Sequence, residues 1–180
     1  MSASTAYAVQ DTFRFGFMPT ISFYNLNDPT GRTKPGQNIT LLSGLIFVDA
    51  GRDARFLVNG SFDKFSVAAS TMDIGEDVTR LSASASYQTM FRLSRDFKPW
   101  LGFGVGDATE SYKNRYLLTG GGFSTPVSPS ERSVNNVFGL VNVSTEWELN
   151  RQWNFGFHFQ YELPFGEGAS VYKAGVYFSY

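Results

Sequence analysis

The chain has 180 residues, of which 42% are hydrophobic, 17% aromatic and only 17% charged, with 15 Lys and Arg against 16 Asp and Glu. A chain of this length suits one domain; the balanced charge excludes a nucleic-acid binder held by a basic face, and the aromatic content excludes charge-rich disorder. Soluble domains cover themselves with roughly 25–35% charged residues, so much of this surface is expected to face something other than water. Cysteine is absent, which removes disulfides, thiolate catalysis, Fe–S clusters and cysteine zinc sites. No run approaches the ~18–20 apolar residues of a membrane helix.

Residues 1–11 lack the apolar stretch of a signal peptide and are too short for a domain, so a lead-in is expected there. From residue 12 onward the pattern is period-2 alternation, the mark of strands. Phe13, Phe15, Phe17, Ile21 and Phe23 alternate with Arg14, Gly16, Met18, Thr20 and Ser22, and Pro19 predicts a local irregularity. A second strand is expected at about 38–48, apolar on both faces and of open phase. A third, at 55–62, shows a phase slip near Asp63 and Lys64 that suggests a bulge or the strand's end. In the fourth, 81–93, Leu81, Ala83, Ala85, Tyr87, Phe91 and Leu93 oppose Ser82, Ser84, Ser86, Gln88 and Arg92. The fifth, 100–106, carries Gly102, Gly104 and Gly106 on one face; the sixth spans 134–149. In the seventh, Trp153, Phe155, Phe157, Phe159, Tyr161 and Leu163 alternate without a break with Asn154, Gly156, His158, Gln160 and Glu162. The eighth covers 170–180. Short connections at 49–53, 94–98 and 150–152 alternate with loops at 26–37, 64–79, 107–133 and 164–169. This is the rhythm of an up-and-down meander with tight turns at one end and loops at the other.

Alternation alone does not say which face is inside. A soluble barrel of lipocalin type places apolar residues within; a transmembrane barrel inverts this and must close, because an open edge in lipid leaves backbone groups unpaired. Three features favour inversion. The polar faces are small, as at Ser82, Ser84 and Ser86, which suits the narrow interior of eight strands. Aromatics gather at the strand ends: Phe13, Phe91, Trp147, Trp153 and Tyr180 at the short-turn end, Phe23, Tyr161 and Tyr172 at the loop end. Finally, Tyr172, Ala174, Val176, Phe178 and Tyr180 alternate to the last residue.

That final alternation, with the run Lys98-Pro99-Trp100-Leu101-Gly102-Phe103-Gly104-Val105-Gly106, resembles the small eight-stranded outer-membrane barrels, the OmpA transmembrane-domain and opacity-type group. The resemblance covers residues 12–180. It implies an all-β fold, a closed eight-stranded antiparallel up-and-down transmembrane β-barrel. It further implies tight turns and both termini, with residues 1–11, in the periplasm, and the four loops outside. The implied location is the outer membrane of a Gram-negative-type envelope. The implied partners are outer-membrane lipid, lipopolysaccharide and the assembly machinery, the last reading Tyr172, Val176, Phe178 and Tyr180.

The lumen-facing set is expected to include Arg14, Arg55, Arg92, Glu146, Glu148, His158, Glu162 and Lys173. Buried charges need partners, so Arg14, Arg55, Arg92, Glu146 and Glu148 are expected to form a network that occludes the short-turn end, either as plain filling or as a switchable ion gate. His158 is the only histidine. The His-x-Ser spacing of a lipid-modifying barrel enzyme fails, because Gln160 stands at the second position. A triad of Ser144 or Ser86 with His158 and Glu162 has no fixed geometry. No enzyme, cofactor or metal site is therefore expected, and Gly120-Gly121-Gly122 lacks the Lys-Ser/Thr of a phosphate loop. The loop 107–133 carries Tyr112, Arg115, Tyr116, Leu117, Leu118 and Phe123, apolar enough to pack over the barrel mouth or to meet a protein partner. The expected role is structural, adhesive or envelope-assembling through the outer loops. The alternatives are a channel for small solutes, ions or a hydrophobic molecule, and, if the faces are reversed, a soluble lipocalin-like carrier.

Overall fold

Strict alternation sends successive side chains to opposite sides of a strand, and in the computed structural model this pattern closes into a ring. The structure describes residues 13–27, 33–70, 72–94, 97–119, 121–150 and 152–180; the expected lead-in and the tip of the first loop, 28–32, lie outside them. Eight strands form the wall. They are β1 (Phe13–Phe17 continuing as Thr20–Asn27), β2 (Thr33–Thr40 continuing as Leu42–Asp49), β3 (Ala54–Val67), β4 (Gly75–Met90), β5 (Trp100–Leu118), β6 (Arg132–Glu148), β7 (Asn154–Pro164) and β8 (Ser170–Ser179). Each pairs antiparallel with its neighbours in sequence, and β8 pairs with β1 to close the ring.

The register makes the wall a tilted spiral. Starting from Asp49, directly opposed inward residues run Arg55, Gln88, Gly102, Asn142, Gln160, Lys173 and Ser22, and return to β2 at Asn38. That return nearer the loop end is the stagger a tilted barrel requires. It threads one polar stripe around the inside.

Two details of the first two strands depart from simple alternation. Met18 and Pro19 interrupt β1 without changing its parity, and the freed groups are taken up across the wall: Met18 N donates to Ser43 O, and Val176 N to Pro19 O. Leu41 interrupts β2 and does change parity, so Thr40 faces in above it while Ser43, Leu45 and Phe47 face in below it. This settles the open phase of the second strand. The slip expected at Asp63 and Lys64 does not occur: the β3–β4 ladder runs unbroken to Val67 opposite Glu76, with Asp63 inward and buried.

Strands also run further than expected. Residues 26–27, 33–37, 64–67, 75–79, 107–118, 132–133 and 164, expected in loops, belong to the strands of the wall, and a short arm, Ser124–Pro126, pairs back onto β5. Alternation persists there, but with polar outward residues, which is why no apolar face marks it. At Asn114 β5 bulges through a left-handed residue (φ 52°), a conformation asparagine tolerates better than most residues.

Polarity is inverted. Phe157 and Phe159 are 43% and 57% exposed, while Ser82, Ser84 and Ser86 are buried. The outward apolar belt carries an exposed aromatic rim at the short turns (Phe13, Phe91, Trp147, Trp153, Tyr180) and another below the loops (Phe23, Tyr172), where Tyr161 stacks on Tyr172 at 4.5 Å. Above the belt the outward residues turn polar at Gln37, Lys64, Asp77, Asp107 and Asn135. Among the described residues the wall at that height has one discontinuity. Above the Leu42–Phe62 pair no backbone ladder joins Thr33–Thr40 to residues 63–67; side chains close the seam, with Asn38 and Thr40 on Asp63 and the Phe65 ring over Gly36.

Inside, β5 makes room by carrying no side chain at Gly102, Gly104 and Gly106. A Cβ at Gly106 would lie 2.3 Å from Phe138 Cζ and 2.6 Å from Ala83 O, whereas one at the outward Gly44 would meet nothing within 4 Å. Gly106→Ala should therefore cost about 1–3 kcal/mol through overpacking, and Gly44→Ala should be close to neutral. Urea unfolding in detergent micelles, followed by tryptophan fluorescence, checks the pair; equal effects would mean that the glycine track does not set the packing.

The lumen as candidate functional site

The interior is filled by side chains in three tiers. Near the short turns, Arg55 is fully buried, its guanidinium centred 4.0 Å from the Trp100 ring and 4.5 Å from the Phe47 ring. It donates to Glu146 Oε2 at 2.7 Å, Gln88 Oε1 at 2.6 Å and Ser144 Oγ at 3.1 Å. Glu146 also accepts from Arg14 Nη1 at 2.7 Å and Tyr177 OH at 3.0 Å, and Arg14 reaches Asp49 at 3.3 Å. Met18, Leu45, Phe47, Leu57 and Tyr177 pack together around this network.

The middle tier centres on Glu162. Its Oε2 accepts from Arg80 Nη2 at 2.6 Å, and its Oε1 from Lys173 Nζ and Gln160 Nε2, both at 2.7 Å. Lys173 continues to Ser61 Oγ at 3.1 Å. Arg80 Nε donates to Glu110 Oε1 at 3.2 Å, and Glu110 also accepts from Tyr112 OH and from the Ala169 amide. Each of these carboxylates thus meets several donors, as a dry interior demands. The upper tier is apolar: Tyr24, Leu26, Phe65, Val78, Tyr112, Val134, Ala169 and Val171 form one buried cluster, with Phe65 stacked on Tyr24 at 4.5 Å.

Of the expected lumen residues, Arg14, Arg55, Glu146, His158, Glu162 and Lys173 face the interior. Two do not join the network. Arg92 lies beyond the end of β4, where it pairs with Asp53 at 2.6 Å on the surface, both about half exposed (50% and 45%). Glu148 is the last residue of β6 and stands exposed at the mouth. The middle tier's Arg80, Glu110 and Asp63 were missed because they sit at or beyond the strand limits drawn from the sequence. Parity would have found them: Glu76, Val78 and Arg80 continue the Ser82 face, and Ala108, Glu110 and Tyr112 continue the Gly102 face.

The loop candidates are also redistributed. Tyr112 and Arg115 turn inward and are buried, Arg115 against Glu76 at 3.1 Å and the Pro129 carbonyl. Tyr116, Leu117 and Leu118 pair with the Ser124–Pro126 arm and are half-buried. Phe123, 75% exposed, remains outward. Above the belt, hydrogen bonds from Ser66 and Asn114 hold the Asp77 carboxyl below the usual carboxylate range.

No triad forms from the serines considered. His158 is buried with Nε2 3.2 Å from Gln160 Oε1. Ser144 accepts from Arg55 and Gln88, and Ser86 from Asn142. Glu162 serves Arg80 and Lys173 rather than the imidazole.

No protein-family profile and no curated protein sequence matches the chain. Solved structures do. Neisserial surface protein A (NspA) superposes with a TM-score of 0.65 at 12% identity, covering 93% of this chain and 95% of its own. OprG of Pseudomonas aeruginosa gives 0.58 at 10%, covering 94% and 96%. Ail, the attachment invasion locus protein of Yersinia pestis, gives 0.54 at 9%, covering 94% and 98%. The chain has the fold of these small outer-membrane β-barrels.

The tiers differ in what they should cost to break. Glu162→Gln leaves Arg80 and Lys173 buried without their shared countercharge and should destabilise by about 3–5 kcal/mol. Arg92→Ala removes only an exposed pair, worth less than about 1 kcal/mol. Urea midpoints of the two variants in the same detergent should separate accordingly; coinciding midpoints would show that the middle tier is not a closed charge network.

Proposed function

We propose that the chain is an integral outer-membrane barrel, closed to solutes, whose role is structural, adhesive or envelope-assembling and is carried by the part standing above the lipid. The observation that carries this reading is the filled lumen: an ion-pair tier, a charged middle tier and an apolar cap succeed one another with interlocked side chains. In this reading the short turns and both termini are periplasmic, and the loop end is external. Lipid and lipopolysaccharide bathe the belt, and the assembly machinery reads Tyr172, Val176, Phe178 and Tyr180. The chain carries no catalytic role. Phe123 and the polar outer face of β3–β6 are the external surface open to a protein partner.

A second reading, passage of a small hydrophobic molecule through the wall, is favoured by one observation. The unladdered seam between Thr33–Thr40 and residues 63–67 lies directly in front of the apolar cap, and Phe65 belongs to both.

The protein should require detergent to remain monodisperse, and vesicles carrying it should show no osmotic uptake of sugars in a swelling assay; sugar uptake would defeat the closed-lumen reading. The second reading has its own test. Tethering Ile39→Cys to Lys64→Cys with a short bis-maleimide reagent, which adds one thiol at each end, bridges the seam from outside. If the wall conducts, entry of a hydrophobic fluorophore into vesicles should stop on tethering; entry unaffected by the tether would retire that reading.

A further inference from the structure

Where β1 and β8 close the ring, five aromatic side chains surround a hollow of about 430 Å³ on the outer wall: Phe15, Phe17, Trp153, Phe178 and Tyr180, with Gly16 beneath them. Reciprocal backbone bonds between Phe15 and Tyr180, at 2.9 and 2.8 Å, fix the two strands at this point. Gly16 permits the close approach, since a Cβ there would lie 2.7 Å from the Phe178 carbonyl oxygen. The rings are not parallel. Phe17 and Phe178 stack at 5.4 Å with 22° between planes, and Trp153 and Tyr180 meet at 5.4 Å with 54° between theirs. Aromatic rings therefore wall the hollow at several inclinations, and among the described residues no charged side chain lines it.

The hollow sits on the short-turn rim of the belt, at the height where lipid headgroups meet hydrocarbon. An aromatic face is electronegative, and it attracts a cation most strongly where water is partly excluded; an anionic group gains nothing there. A site for an acyl chain alone needs no rings. The neighbouring hollow of about 400 Å³ on the same belt is of that kind, with Gly44, Gly60, Ile46 and Val58 beside Phe15. We infer that the five-ring hollow binds the ammonium headgroup of a zwitterionic phospholipid, whose acyl chains lie along the adjoining belt. This rests on the reading of the chain as a membrane-spanning barrel, and it gives the short-turn rim a preferred lipid.

The test uses the whole protein, folded in mild detergent. It is offered phosphatidylethanolamine and phosphatidylglycerol with identical acyl chains in equal amounts, and the lipids it retains are counted by native mass spectrometry. Ethanolamine lipid should be retained about two- to fivefold over glycerol lipid, the ratio that a partly exposed cation–π contact supports. Phe15→Leu with Trp153→Leu keeps the apolar area and removes two ring faces, so the preference should fall to about one. Each single variant, for use if the double variant fails to fold, should show an intermediate ratio. Folding is monitored by the difference in gel mobility between heated and unheated samples. Equal retention of the two lipids by the unaltered protein would mean that acyl chains alone fill the hollow. A lipid-free dimer that Trp153→Leu dissociates would mean that a second copy fills it. Either outcome overturns the inference while leaving the barrel in its membrane. A protein monodisperse without detergent would instead remove the membrane reading itself.

Discussion

One constraint orders this molecule: a backbone amide or carbonyl facing hydrocarbon must find its partner within the protein. A meander of eight strands meets it only by joining its last strand to its first, and here β8 does so with both segments of β1. Closure then dictates side-chain chemistry. Outward positions of the belt are mostly apolar, Phe, Leu, Ile and Val above all; inward positions see one another and are mostly polar. The two irregularities obey the same rule. At Met18 and Pro19, within the belt, the displaced amide and carbonyl are re-paired across the wall. The unladdered seam of β2 and β3 lies where the outward neighbours are Gln37, Lys64 and Ser66, with the apolar Ile39 at its lower edge, a height at which water can serve the freed groups.

Filling a narrow polar interior raises a second difficulty, since each buried charge loses its hydration. The barrel meets it by sharing. Glu146 serves two arginines and a tyrosine, Glu162 serves Arg80, Lys173 and Gln160, and Arg55 is held between two aromatic faces that add cation–π attraction to its hydrogen bonds. These groups are large, and β5 yields the space through Gly102, Gly104 and Gly106. An added methyl at any of the three would strike a neighbour: Asn142 at Gly102, Ala85 O at Gly104, Phe138 at Gly106. Glycine in a strand usually weakens it; here it admits the large side chains that pack the interior.

Most of the architecture was legible because the lipid-facing stripe is a strong, periodic signal. Strand number, the inverted polarity of Phe157 and Phe159 against Ser82 to Ser86, and the inward side of Arg14, Arg55 and Glu146 follow from parity, and closure from the need to pair the edge strands. What escaped notice shares one cause. Above the belt the outward face turns polar, so β3, β4 and β5 lose their apolar stripe although the ladder continues, and Asp63, Arg80 and Glu110 fell outside the strands drawn. The same loss of contrast made Tyr112 and Arg115 look like loop residues. Parity counted from Gly102 would have turned Tyr112 inward, but the left-handed step at Asn114, which also reverses the parity ahead of Arg115, has no signal in alternation. Arg92 and Glu148 failed for the opposite reason: they keep the right parity but stand past the ends of their strands, where parity no longer implies burial.

The continuation of β3 to β6 above the belt bears on what the loop-end face can do. A flexible loop that binds a partner must lose conformational freedom on binding, and that loss is subtracted from its affinity. Here the ladder persists, and the inner side of the projecting sheet is packed: Glu76 with Arg115, Tyr112 with Glu110, and Phe65 with Tyr24. The loop 165–169 ties the β6 edge through the Phe165 amide on Val137 O and through Arg132 with Glu167. The outward polar residues of this sheet, Asp77 and Asp107 among them, are thus held in a pre-set arrangement by the interior packing behind them. In this barrel, a charge-paired interior and a firm loop-end surface are two consequences of one packed core.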